Sequence, residues 1–315
     1  MGKKSQIRYI IMANVKRHNY WKEMAKYCFF KIGFTILGDR LVQKIKYHII
    51  FGRKLDFSHP DTLNAKIHWL KLNIREDFHT VVADKYAARK WLSDRFGEEY
   101  LVPLLYKTDH WQDVRPENIL HEPCIIKSNN GCGDYFIIKN FSDYSDEDWD
   151  NIRNDCRIWM SKNLYYKGQE WQYKSMKPCI IVEKLLQTKE GKVPNDYKLN
   201  YFNGKLEFVY CSVDREGGNW RNIYDADWKP LPFQWVPKKS YRKDLRGPEI
   251  EAPASFEKMK EIGSEIAKLF KYVRVDFYDV DGKLYYGEIT LHHGSGADPF
   301  FPDKYDFIYG EKLKL

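Results

Sequence analysis

The sequence predicts an α+β chain in which a helical N-terminal region precedes antiparallel sheets. Two observations carry that prediction. Apolar residues recur at helical spacing before residue 123 and again around residue 260, whereas short apolar runs bounded by turn residues dominate from 123 onward. Asn203-Gly204 and Asp281-Gly282 each stand between such runs, the strongest short-range signal for a hairpin and so for antiparallel pairing.

The elements follow in order. Residues 1 to 55 form a basic arm in which Trp21, Tyr27, Phe29, Phe30, Ile32, Phe34, Ile36 and Leu37 are spaced for one or two amphipathic helices. Ser58-His-Pro-Asp-Thr-Leu opens a helix with a turn, a proline and a polar cap, after which Leu63, Ile67 and Leu70 share a face. A second helix runs from about Asp84 to Phe96 and closes at Gly97. Pro123-Cys-Ile-Ile, Tyr135-Phe-Ile-Ile and Cys179-Ile-Ile-Val read as strands, with a helix from Asp146 to Lys162 between the second and third. Strands Tyr197 to Phe202 and Lys205 to Val213 flank Asn203-Gly204. Residues 215–253 show no clear period, the mark of a long functional loop or lid. Ser255 to Lys271 is a helix with Phe256, Met259, Ile262, Ile266 and Phe270 on one stripe, and a hairpin from Val273 to Leu291 closes the chain's regular structure. The expected units are 1–55, 56–122, 123–186 and 187–315.

Composition narrows the function classes. A hydrophobic content of 43% with 10 Trp, 23 Tyr and 18 Phe supplies a large core, which excludes disorder and collagen-like structure. The run from Tyr27 to Gly38 is broken by Lys31 and falls short of the roughly 20 residues that cross a bilayer. No cleavable leader is visible, and Gln6 stands where a myristoylation signal needs Ser or Thr. Six cysteines are scattered without a CxxC pair, as expected of free thiols in the cytoplasm. Residues 1 to 54 hold 13 Lys or Arg against Glu23 and Asp39, so the arm carries +11 and the rest −3 of a total of +8. A nearly neutral body argues against nucleic acid as partner. The arm has two readings: helices packed on the body with their charges solvated, or docking on the anionic inner face of the cell membrane.

Two clusters carry chemistry. Lys127-Ser-Asn-Asn-Gly-Cys-Gly133 lies between two strand runs; small residues let backbone N–H groups approach a phosphate, and the lysine can neutralise it. An ordinary hairpin turn is the alternative, and neither a P-loop nor GxGxxG is present. In the closing hairpin Val273, Val275, Phe277, Ile289 and Leu291 alternate with Arg274, Asp276, Glu288, Thr290 and His292. A three-residue Val280-Asp281-Gly282 loop keeps both apolar rows on one face and sets Arg274 opposite Glu288. Two carboxylates beside an arginine suit Mg²⁺ shared with phosphate oxygens, or else a solvated salt-bridged face.

The order of these features is the layout of the ATP-grasp fold, two α+β lobes with antiparallel sheets that clamp ATP. Residues from about 56 to the C terminus resemble the TupA-like ATP-grasp family, associated with teichuronopeptide and other bacterial cell-surface polysaccharides. The stretches that carry the resemblance are Asp61-Thr-Leu-Asn-Ala-Lys-Ile-His-Trp-Leu-Lys-Leu72, Asp84-Lys-Tyr-Ala-Ala-Arg89, Ile126 to Gly133, Asp196-Tyr-Lys198, Val273-Arg-Val-Asp-Phe-Tyr278 and Gly287-Glu-Ile-Thr290. The resemblance implies that Lys127 holds ATP phosphates, that Asn129, Asn130, Gly131, Cys132 and Gly133 form a flap over them, and that Glu183, Lys184, Leu185 and Leu186 are the hinge near adenine. Lys198 and Arg274, with Arg215, would meet the transferred phosphate, and Asp276, Glu288 and Thr290 would hold Mg²⁺. Thr290 stands where many relatives have Asn, and His292-His293-Gly-Ser-Gly296 replaces a Tyr-Pro-Gly type stretch. No physical role follows for Asp84-Lys85.

The implied reaction is an ATP-dependent ligation through an acyl-phosphate, joining an amine or amino acid to a uronic acid or similar acidic sugar, free, nucleotide-linked or lipid-linked. A glycosyltransferase or sugar kinase of the same pathway, or an inactive scaffold, are the alternatives. The cations of the 215–246 loop, among them Arg215 and Arg221, would attract an anionic donor or else form a lid held by its own salt bridges. His292 and His293 are proton acceptors or structural histidines, Cys132 is a small flap side chain, and Trp220, Trp228 and Trp235 stack on sugars or pack the loop.

Overall fold

The structure is a computed structural model that describes residues 18–131, 133–242 and 245–315. It begins with a long helix, α1 (Tyr20–Phe51), started by Asn19, whose side chain accepts the Lys22 N–H, and ended by Gly52 in the left-handed region. Gly38 (φ 73°, ψ 158°) interrupts it, so the apolar run expected to form one or two helices forms two halves of one kinked rod. The inner side packs on the body through Val42, Gln43 and Tyr47. Ion pairs anchor it there, Glu23 with Lys162 at 3.0 Å and Asp39 with Arg75 at 2.6 Å.

Three helices follow, α2 (Leu63–Asn73), α3 (Asp77–Ala83) and α4 (Ala87–Phe96). The Thr62 hydroxyl caps α2 by accepting from the Ala65 N–H, and Leu63, Ile67 and Leu70 are all buried, as their spacing predicts. A four-stranded antiparallel sheet is built from β1 (Leu104–Thr108), β2 (Cys124–Ser128), β3 (Tyr135–Ile138) and, after α5 (Asp146–Ser161) and α6 (Tyr165–Gly168), β4 (Ile180–Lys184), in the order β1-β4-β2-β3. Its inner face and α5 bury Cys124, Ile126, Phe136, Trp149, Ile152 and Ile180.

The larger sheet has five antiparallel strands in the order β10-β9-β5-β6-β7: β5 (Asp196–Phe202), β6 (Lys205–Val213), β7 (Trp220–Tyr224), then, past β8 (Gln234–Trp235) and α7 (Phe256–Ala267), β9 (Tyr272–Val280) and β10 (Lys283–Thr290). β11 (Phe300–Phe301) pairs with β8, and α8 (Lys304–Lys312) ends the chain. α7 covers one face with Phe256, Met259, Ile262 and Ile266. Leu63, Ile67, Leu70, Phe233 and Trp235 pack with Phe208 and Tyr210 of β6 in a second cluster.

Two expectations are corrected. The 215–253 segment is not a structureless loop: β7 is an edge strand of the main sheet. Its pattern is hidden by the buried Asn222, whose amide donates to Pro248 O at 2.7 Å and accepts from the Gly247 N–H at 2.9 Å. The closing hairpin turns through two residues, Asp281 (φ 54°) and Gly282 (φ 89°), with Lys283 opposite Val280. The change of parity comes instead from a bulge at Gly287, after which Glu288 faces Asp276 and Thr290 faces Arg274.

Candidate active site

Three adjacent strands put the charged residues in one row. Lys198 on β5 lies opposite Asp276 on β9, and Asp276 lies opposite Glu288 on β10. The bulge makes this possible, because a hairpin without it would set Gly287 against Asp276 and turn Glu288 to the other face. Glycine suits the bulge, since a Cβ there would stand 3.0 Å from the Asp276 carbonyl oxygen. Alternation along β2 buries Ile126 and sends Lys127 to the opposite side. Lys127, Arg215, Lys198, Asp196, Asp276 and Glu288 thus line one cavity of about 180 Å³, roofed by Gly131 and Gly133.

Ion pairs hold that row. The Arg274 guanidinium donates to Asp276 through Nε–Oδ1 at 2.6 Å and Nη2–Oδ2 at 2.7 Å, and Nη2 also reaches Glu288 Oε1 at 2.8 Å. Lys198 Nζ pairs with Asp196 and lies 3.3 Å from Asp276 Oδ2. Burial opposes ionisation of Glu288, but Lys85, Arg274, Lys198 and Lys127 outweigh it and hold this carboxyl down to about 2. Arg274 Nη1 donates to His293 Nδ1 at 2.9 Å, which leaves that buried ring neutral, stacked on Trp235 and positioning the guanidinium. Among the described residues no group of three His, Cys, Asp or Glu is arranged as a metal cluster. Mg²⁺ nevertheless fits, because it takes one or two protein carboxylates and completes its shell with substrate oxygens and water. Asp276 and Glu288 are neighbours in the row, and the buried Asp196 Oδ1 beside them has no hydrogen-bond partner.

The remaining expected residues divide. Glu183 faces Lys127, Oε2 to Nζ at 2.6 Å, and accepts from Arg89 at 3.1 Å, so it restrains that lysine directly. Lys184 turns outward to Glu122 and Leu185 is buried. Asn129 is a latch: its amide nitrogen donates to Asp84 Oδ2 at 2.8 Å and its oxygen accepts from the Cys179 N–H at 2.9 Å. Asn130 is buried, and a Cβ on Gly131 would overlap Ser128 Oγ. Cys132 lies outside the described residues. Asp84-Lys85 now has a role: Asp84 Oδ1 accepts from the Tyr86 and Ala87 N–H groups at the start of α4, and Lys85 Nζ bridges Gly131 O at 2.6 Å and Glu288 at 3.4 Å.

From the loop, Arg215 reaches the cavity, whereas Arg221 donates to Asn219 and Trp220 carbonyls. Lys139 and Glu216 tie the loop to the small sheet. Trp235 is fully buried and Trp228 stacks on Tyr224, so these two rings pack the fold. His292 is buried beside Glu170 at 3.6 Å. Thr290 donates to Glu288 Oε1 at 3.3 Å, one row from the carboxylate pair.

A second cavity of about 500 Å³ adjoins the first and shares Lys85, Gly131 and Glu288 with it. Its walls carry Lys46, Lys71, Lys85, Lys167 and Arg274 against Glu170 and Glu288. The Lys71 ammonium is buried and donates to Gly168 O at 3.0 Å and Ser295 O at 2.7 Å. Burial pulls Lys71 down to about 7 and Lys46 to about 8. The expectations did not reach Lys46 or Lys71; the one available signal for Lys71 was its place in the Asp61 to Leu72 stretch.

No curated protein matches the chain. Among solved structures it is similar to the D-alanine–D-alanine ligases of Bacillus anthracis (15% identity, TM-score 0.36, 67% of this chain and 56% of that one) and Helicobacter pylori (16%, 0.37, 75% and 62%). It is similar also to the ATP-grasp ligase PsnB complexed with a minimal precursor (13%, 0.37, 73% and 60%). The chain therefore spans between 56% and 62% of the length of these ligases. The family model for TupA-like ATP-grasp proteins matches residues 65–314, and the chain belongs to that family.

Proposed function

We propose that this protein is an ATP-dependent carboxylate–amine ligase that joins an amine or amino acid to an acidic sugar during assembly of a bacterial capsule or cell-wall polysaccharide. The observation that carries this reading is the Glu288–Asp276–Lys198 row lining one cavity with Lys127. In this reading ATP is a substrate, and Lys127, Lys198 and Arg215 are the cations that take its phosphate oxygens. Asp276 and Glu288 would hold Mg²⁺, which neutralises charge on those oxygens. The phosphoryl group passes to a carboxylate oxygen of the acceptor and ADP leaves. The amine nitrogen then attacks the acyl carbon, phosphate departs with the bonding pair, and the nitrogen loses its proton to leave an amide. Positioning and charge neutralisation supply the catalysis.

The adjoining cavity is the proposed acceptor site. Its excess of lysines favours an anion, and the shared Glu288 and Lys85 put that anion beside the phosphates. Purified protein with Mg²⁺ and ATP, screened against paired acids and amines, is expected to release ADP only when both partners are present and to yield an amide by mass. ADP with a phosphorylated sugar and no amine requirement would assign a kinase. Consumption of a nucleotide-sugar without ADP from ATP would assign glycosyl transfer.

A further inference from the structure

The outer side of α1 is apolar where a water-facing helix should be polar. In its first half Trp21, Phe29, Ile32 and Ile36 fall at helical spacing on one stripe and are 75%, 75%, 60% and 78% exposed. After the kink Leu41, Ile45 and Ile49 repeat the pattern, opposite the buried Gln43 and Tyr47. A stripe that large on a soluble surface marks a docking face.

Charge selects what covers it. The exposed residues of the helix include Lys22, Lys26, Lys31, Arg40 and Lys44 and no acid, because Glu23 and Asp39 are turned inward to Lys162 and Arg75. Residues 1 to 17, which precede it, add five Lys or Arg and no Asp or Glu. A two-fold pairing of α1 with a second copy would set cations against cations around the stripe. An anionic bilayer offers acyl chain to the stripe and phosphate to its flanks, and Trp21 suits that boundary. No described helix is long and apolar enough to cross a membrane, so the geometry is one of lying on the surface.

We propose that α1 is an interfacial helix that docks the protein on an anionic lipid bilayer through the Trp21–Ile36 and Leu41–Ile49 stripes. The inner side of the same helix gives Lys46 and Ile50 to the second cavity, so docking holds that cavity close to the bilayer. The proposal stands on the helix and does not depend on the reaction.

Full-length protein is co-sedimented with vesicles of phosphatidylcholine alone and of phosphatidylcholine mixed with phosphatidylglycerol. Binding is expected to the anionic vesicles, weakened about tenfold or more by their replacement with neutral ones or by high salt. The triple variant Phe29→Ser, Ile32→Ser, Ile36→Ser is expected to lose about tenfold or more in binding while keeping the parent's melting curve, since all three side chains are exposed. The pair Lys22→Glu, Lys44→Glu is expected to abolish the preference for phosphatidylglycerol. Equal binding of parent and triple variant overturns the proposal, as does failure of the parent to bind either vesicle. A parent dimer by light scattering that the triple variant converts to monomer assigns the face to a second copy and overturns it too.

Discussion

The two adjoining cavities handle positive charge in opposite ways. In the smaller one the lysines of β2 and β5 meet carboxylates: Lys127 has Glu183, and Lys198 has Asp196 and Asp276; Arg274, on the wall of the larger one, is held from the shared side by Asp276 and Glu288. In the larger one Lys71 and Lys46 donate to neutral oxygens, Gly168 and Ser295 for the first and Lys167 and Gln169 for the second. The cations around Glu288 outweigh its burial and hold it near 2, whereas burial still raises Asp276 beside Arg274 and Lys198. Uncompensated charges are pushed toward neutrality, which is why Lys71 sits near 7. In the proposed function the first site would exchange internal partners for phosphate and metal, and the lysine excess of the second would favour a ligand that brings its own negative charge.

The largest effect is expected in the neutralised row. Asp276→Asn removes a carboxylate from both Arg274 and the proposed metal, and ADP release should fall about 10²–10³-fold. It also leaves a buried guanidinium short of a partner, so the melting temperature is measured alongside. Glu288→Gln, at a third-exposed side chain, should give a fall of the same order with a smaller loss of stability. Wild-type turnover in Asp276→Asn would show that the row is structural.

An intermediate effect belongs to the uncompensated cavity. Lys71→Met should raise KM for the acidic acceptor about tenfold and leave KM for ATP within about twofold. The sign with pH is definite. Below about 7 Lys71 is protonated and would attract the proposed acceptor; as pH rises through that value the charge is lost, so wild-type KM is expected to climb while the Met variant's stays level. Because folding lowers this pKa, the unfolded chain holds the extra proton above pH 7, and wild-type stability should rise with pH across that window up to the ordinary lysine range. A KM that does not respond to pH or to Lys71→Met would remove the lysine from acceptor binding.

Much of the first site is local in sequence and so was legible there. Alternation along β2, β5 and β9 fixes which side Lys127, Lys198, Arg274 and Asp276 face, and alternation is visible in the residues themselves. The partner of each was less legible. Gly287 carries no pattern that distinguishes a bulge from an ordinary strand glycine, so the sequence pairs Glu288 with Arg274, whereas the bulge pairs it with Asp276. The second site was hidden because its charges come together only through packing: Lys71 meets Gly168 and Ser295 across 97 and 224 residues of chain. Periodicity shows which face of α2 is buried and is silent about an ammonium at its edge. Asp84-Lys85 was visible as a motif, but its role needed the fold to bring Asn129, Gly131 and Glu288 to it.

Thr290 lines the larger cavity and bonds a residue that both cavities share, and it gives the smallest and sharpest test of the division between them. It lines the larger cavity, and its hydroxyl donates to Glu288 of the smaller one at 3.3 Å. It pairs with Arg274, one row away from the Asp276–Glu288 pair, so its hydroxyl orients Glu288 more readily than it joins a shell built on that pair. A long hydrogen bond to a partly exposed carboxylate is worth about 0.5–1.5 kcal/mol at most. Thr290→Val keeps the shape and removes that bond, and kcat/KM should fall by only about two- to threefold, with Mg²⁺ half-saturation unchanged within about twofold. A rise of about tenfold or more in the Mg²⁺ needed for half-maximal turnover would make Thr290 a metal ligand and move the boundary between the two sites by one row of the sheet.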